Sequence, residues 1–108
     1  MTDLVKFFAA LADANRLRLL HLLKDGEVCV CHLQAVLQTN QPKISRHLAY
    51  LRRAGLVAAR KEGRWTHYRL TPPGQQQSAI LAETLNGLDR QASVKQDKQR
   101  LKRVVCCA

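Results

Sequence analysis

The sequence predicts a mainly α-helical chain with one small β-hairpin, in the winged helix-turn-helix class. Three observations predict it. Apolar residues recur at three- and four-residue spacing through the first half of the chain. The dipeptide Thr39-Asn40 breaks that pattern between two short helical stretches. Two β-prone runs then flank Gly63, with Arg60, Lys61 and Arg64 at their tip.

The elements follow in order. Leu4, Phe7, Phe8 and Leu11 set a short first helix. Asp13 is the N-cap of a second, which carries Leu17, Leu19, Leu20 and Leu23 and stops at Lys24-Asp25-Gly26. Leu33, Val36 and Leu37 mark a third helix of about two turns. Asn40 caps a fourth over residues 41–54, with Pro42 in its first turn, where a missing N–H costs little. Ile44, Leu48 and Leu51 form its buried stripe, and Gly55 ends it. The runs 56–60 and 65–70 make the hairpin, with Trp65 and Tyr68 expected in its core, and Pro72-Pro73-Gly74 stops it. A fifth, last helix bears Leu81, Leu85, Leu88 and Ala92, a heptad-like stripe suited to pairing with another helix. Residues 1–93 are expected to form one domain. Residues 94–108 are expected to be a basic, flexible tail ending in Cys106 and Cys107.

Composition narrows the function. Eighteen Lys and Arg stand against eight Asp and Glu in 108 residues, a formal charge of +10. That excess calls for a polyanionic partner, nucleic acid above all. No apolar run approaches the roughly 18 residues of a membrane span. The start, Met1-Thr2-Asp3, lacks a basic stretch leading into an apolar one, so a cytoplasmic protein without a secretory leader is expected. No thioredoxin-like βαβ pattern is present, so no enzyme is expected.

The predicted fold places the partner. In a helix-turn-helix, residues near the start of the second helix meet base edges in the major groove. Gln41, Ser45 and Arg46 are therefore the candidate base readers, since Gln can pair adenine and Arg guanine. Lys43, Tyr50, Arg52 and Arg53 are candidate phosphate contacts. Arg60, Lys61 and Arg64 on the wing would grip phosphate or the minor groove. The expected partner is double-stranded operator DNA.

Four cysteines fall into two close pairs, Cys29/Cys31 and Cys106/Cys107. Neither spacing matches a structural zinc finger, and pairs this close rarely form structural disulfides. They suggest soft-metal binding or redox sensing. Cys29 and Cys31 stand at the start of the third helix, where the helix dipole favours an anionic sulfur. At i and i+2 they would not face each other in a regular helix, so one ion needs an extended or distorted backbone there.

Several segments together resemble the arsenic-repressor (ArsR/SmtB) family of metal-sensing repressors. They are Leu11-Ala12-Asp13-Ala14-Asn15-Arg16-Leu17, Glu27-Val28-Cys29-Val30-Cys31-His32-Leu33, Gln41-Pro42-Lys43-Ile44-Ser45-Arg46-His47-Leu48 and residues 60–70. The likeness runs from about Val5 to Leu70. It implies a homodimer joined through its first and last helices, seated on its own promoter and released by metal. It also implies that Cys29 and Cys31 take As(III) or Sb(III) as inducer, as relatives take cadmium or lead; the thiols themselves leave cadmium, lead, mercury or an oxidant as the alternative signal. Arsenite-type members often carry a third Cys where this chain has Gln34, which leaves Cys106 and Cys107 either as candidates for the missing ligand or as a separate vicinal-thiol site of their own.

Overall fold

The computed structural model describes residues 1–72 and 74–104. Its elements are α1 (Thr2–Leu11), α2 (Ala14–Leu22), β1 (Val28–Cys29), α3 (Val30–Leu37), α4 (Gln41–Arg53), β2 (Val57–Glu62), β3 (Trp65–Leu70), α5 (Gln75–Leu88) and α6 (Ala92–Arg103). The winged helix-turn-helix expectation holds, with one strand and one helix more than the pattern predicted.

Local chemistry explains the helix limits. Asp13 is extended and accepts the Arg16 N–H at 3.1 Å, which starts α2. The Arg16 side chain reaches back to the last turn of α1, donating to Ala10 O at 2.8 Å and Ala9 O at 3.1 Å. Gln38, left-handed at φ 54°, ends α3 by donating its N–H to Gln34 O. Asn40 then accepts from Lys43 N at 3.0 Å to start α4. Gly55 closes α4 with φ 79°, a conformation a side chain would strain.

One core joins these parts. Phe7 and Ala10 of α1, Leu19, Leu20, Leu22 and Leu23 around α2, and Leu33 and Val36 of α3 are buried together with the α4 stripe Ile44, Leu48 and Leu51. Each buried aliphatic side chain contributes roughly 1.5–3 kcal/mol relative to exposure. Tyr68 packs against this core, whereas Trp65 is only half-buried and lies outside it.

The wing is a three-stranded antiparallel sheet in the order β1-β3-β2, not an isolated hairpin. β2 and β3 pair from Val57↔Leu70 to Glu62↔Trp65, leaving a two-residue loop, Gly63-Arg64. Gly63 has φ 61°, the positive value a type II′ loop requires at its first position. β1 adds Val28↔Tyr68 and Cys29↔His67. Two residues flanked by a loop and a helix carry no alternation to read, so the sequence pattern gave no strand here.

The C-terminal expectations need correction. Leu81 and Leu85 are each 2% exposed and buried in this chain's own core, so they are not an external pairing stripe. Ala92 belongs to α6, not to the helix of that stripe. Residues 94–103 are helical rather than a flexible tail, and α6 folds back onto α2 and α3. Val94 and Asp97 are buried, and Leu101 and Val104 pack against the core. Asp97 accepts two hydrogen bonds from the Arg18 guanidinium, both at 2.8 Å. At the α5–α6 junction, the exposed Asp89 meets the buried His21 Nε2 at 2.6 Å and Lys24 at 3.1 Å. Cys106 and Cys107 lie outside the described residues.

Candidate nucleic-acid interface and thiol site

The face of α4 opposite its buried stripe presents Gln41, Lys43, Ser45, Arg46, Ala49, Tyr50, Arg52 and Arg53 to solvent. Helical periodicity alone dictates this division, since Ile44, Leu48 and Leu51 occupy one side. His47 is half-buried between the two faces. Tyr50 has a neighbour the sequence did not suggest: the Arg16 guanidinium lies 4.1 Å from its ring centroid. Asn15, Arg16, Lys43, Arg46, His47 and Tyr50 line one cleft, so the start of α2 adjoins the candidate base readers. Sequence reasoning missed Asn15 and Arg16. The signal available was two polar residues directly after the Asp13 cap.

The wing presents its cations differently. Lys61 and Arg64 are exposed, with the Arg64 guanidinium 5.4 Å from the Trp65 ring centroid. Arg60 is engaged on both sides. Its Nε donates to the two Glu27 oxygens at 3.1 and 3.2 Å and its Nη2 to one of them at 2.6 Å. Its Nη1 donates to Glu62 at 3.0 Å. These hydrogen bonds hold the Glu27 carboxyl below the usual carboxylate range and raise the Arg60 pKa further. Among the described residues, Lys43, Arg46, Arg53, Lys61 and Arg64 form no salt bridge.

Cys29 and Cys31 are brought together. Cys29 is the N-cap of α3, not part of the helix, and is extended at φ −68° and ψ 140°. That extended step lets an i, i+2 pair converge, and the two Sγ atoms lie 3.0 Å apart in hydrogen-bond contact. Cys29 is 7% exposed and Cys31 half-buried. His67 pairs with Cys29 across the sheet, so their side chains leave the same face. Nε2 of His67 and Nε2 of His32 are both enclosed without a hydrogen-bond partner among the described residues.

Two sulfurs at this separation suit a soft, thiophilic ion better than a hard one. Among the described residues, no group of three His, Cys, Asp or Glu side chains is placed to hold a metal. The described fold therefore brings two sulfur atoms together at the start of α3. No described helix is long and apolar enough to cross a membrane.

Comparison with known proteins agrees with this architecture. The family model described as "Bacterial regulatory protein, arsR family" matches residues 13–59, which run from the α2 cap into β2. The arsenical resistance operon repressor of Escherichia coli (strain K12) is 54% identical over 69 residues, 63% of this chain and 59% of that protein. The arsenical resistance operon repressor of Bacillus subtilis (strain 168) is 35% identical over 79 residues, 72% of this chain and 73% of that protein. Among solved structures, the chain is similar to the homodimeric winged helix-turn-helix DNA-binding domain of a possible ArsR-family transcriptional regulator from Mycobacterium bovis. The TM-score is 0.69 at 31% identity, covering 82% of this chain and 80% of that one. The matched region spans between 52% and 59% of the length of three curated arsenic-resistance relatives. These similarities join a winged helix-turn-helix, a basic reading helix and a regulator family rather than an enzyme family. The chain belongs to the arsR family of bacterial regulatory proteins.

Proposed function

We propose that this chain is a transcriptional repressor that holds operator DNA as a homodimer and lets go when As(III) or Sb(III) binds the thiolates of Cys29 and Cys31. The observation that carries the reading is the 3.0 Å approach of those two sulfurs at the junction between the wing sheet and α3. Gln41, Ser45 and Arg46 read bases, and Lys43, Tyr50, Arg53, Lys61 and Arg64 hold backbone phosphates. The relatives named as arsenical resistance operon repressors support the choice of inducer.

Two surfaces support the homodimer. Val5 and Phe8 of α1 are 58% and 48% exposed, an apolar face turned to solvent. On α5, Ala79, Ala82 and Gly87 are exposed small residues that let another helix come close. Asp3, Lys6 and Gln77 line one cleft, so these two helices adjoin. The dimer face of this reading is thus formed by α1 and α5, the first helix and the one that carries Leu81 and Leu85.

An ion bound by both sulfurs would span the strand–helix junction, and α3 packs against both α4 and β3. A third thiolate from Cys106 or Cys107 completes the donor set. Leu101 shares a cleft with Val28, next to Cys29, and Val104 packs on the core. Coupling of about 1–3 kcal/mol between ligand and DNA would weaken operator binding roughly 5–150-fold.

Titrating the reduced protein–operator complex with arsenite, followed by fluorescence anisotropy, tests this. Release is expected for the wild type, none for Cys29→Ser or Cys31→Ser, and a higher arsenite requirement for Cys106→Ser/Cys107→Ser. Arsenite that binds tightly and leaves the DNA complex intact would refute the reading. Release by cadmium or peroxide but not arsenite would reassign the signal.

A further inference from the structure

Arg60 stands at a wing position suited to a phosphate contact, yet its guanidinium is already occupied by two carboxylates. Glu62 is its neighbour on β2. Glu27 is not part of the hairpin at all: it lies 33 residues earlier, in the loop entering β1. The ion pair therefore ties the edge of the wing to the body of the molecule.

A second observation places this tie beside the thiols. Cys29 pairs with His67 on β3, and His67 pairs with Arg60 on β2. One row of the sheet thus runs Cys29–His67–Arg60. Glu27, two residues before Cys29, closes that row from β1 back to β2. Beyond it the hairpin meets β1 through only two residue pairs, Val28↔Tyr68 and Cys29↔His67.

We propose that Glu27 is a positioning residue for DNA binding: by gripping Arg60 it fixes the angle at which the wing presents Lys61 and Arg64, and it links that angle to the Cys29 strand. This rests on the DNA-binding part of the function proposed above and adds a route by which a ligand on Cys29 reaches DNA through the wing as well as through α4.

The effect of removing the carboxylate has a sign that separates this from plain electrostatics. A protein that binds a polyanion should bind it more tightly when it loses a negative charge, and more so when that loss frees an arginine. If Glu27 positions the wing, Glu27→Gln weakens binding instead, by about two- to five-fold for an exposed ion pair. Arg60→Ala should lose a similar amount, and the double variant no more than either single one. The charge-reversed pair Glu27→Arg/Arg60→Glu should recover most of the loss.

Trp65, the one tryptophan of the chain, sits in β3 next to the wing loop and reports on the wing without DNA. The experiment measures operator affinity across salt concentrations and Trp65 fluorescence anisotropy in the free protein. The expected result is weaker operator binding and lower Trp65 anisotropy in Glu27→Gln, with Glu27→Asp in between. Equal or tighter binding with unchanged Trp65 anisotropy overturns the proposal while leaving the repressor reading standing. A wild-type protein that binds no operator refutes the repressor reading, whereas the Trp65 measurement still decides whether Glu27 holds the wing.

Discussion

α4 and the wing both expose basic side chains, but they are held in opposite ways. α4 is fixed from beneath, by three fully buried aliphatic residues, and its Lys43 and Arg46 form no salt bridge among the described residues. The wing is fixed from its edges, by a two-residue strand and by an ion pair that occupies Arg60. The same residue type therefore does different work in the two places. Arg46, on a helix anchored by its apolar stripe, forms no salt bridge among the described residues. Arg60, on the outer half of a hairpin whose base alone packs on the core through Val57, Tyr68 and Leu70, is taken up by carboxylates.

Three experiments would break or sharpen this contrast. The largest effect belongs to the α4 anchor. Leu48 is 0% exposed, so Leu48→Ala should cost about 2–5 kcal/mol of unfolding free energy in urea or thermal melts. A loss under about 1 kcal/mol would mean that α4 is not held from beneath.

Next come the two kinds of cation. Arg46→Ala should cost about 1–3 kcal/mol of operator affinity and relax preference at one base pair. Lys61→Ala should weaken all sequences alike and reduce the salt slope by about one. Anisotropy titrations on single-base operator variants across salt separate the two. Equal loss of specificity from both would erase the distinction between helix and wing.

The smallest effect lies away from both, at the α5–α6 junction. The hydrogen bond from His21, and after it that from Lys24, holds the Asp89 carboxyl below its ordinary value. A carboxyl lowered on folding contributes stability that is complete above the unfolded Asp value of about 3.9 and is lost as pH falls through the lower folded value. Asp89→Asn should therefore flatten the acid limb of stability below about pH 4 and leave operator binding at neutral pH unchanged. An acid limb identical in the two proteins would show that this junction pair contributes nothing.

Much of the reading helix was legible because its signals are local. Asn40 caps within three residues, Pro42 fits the first turn, Gly55 ends the helix, and the 3.6-residue period sorts buried from exposed side chains. The thiol site was half legible. The spacing of Cys29 and Cys31 demanded an extended backbone, and the structure supplies one at Cys29. The reason for it, pairing of β1 with β3, spans nearly forty residues of sequence and left no periodic trace. The α5 stripe misled for a related reason: apolar residues at helical spacing say that a face is buried, not whether the cover comes from the same chain.

By itself, then, the sequence determined the limits of α2 and α4, a hairpin turn around Gly63, the exposed face of α4 and the basic character that calls for DNA. Each rests on side-chain chemistry acting over a few residues or on total charge. Tertiary structure alone decided which cations are drawn into ion pairs, that a third strand carries Cys29 into the wing, and that residues 92–103 dock as a helix. Glu27 meets Arg60 across 33 residues and Arg18 meets Asp97 across 79. Pairings of that separation depend on where the folded core brings two surfaces together, and no local pattern in the chain encodes them.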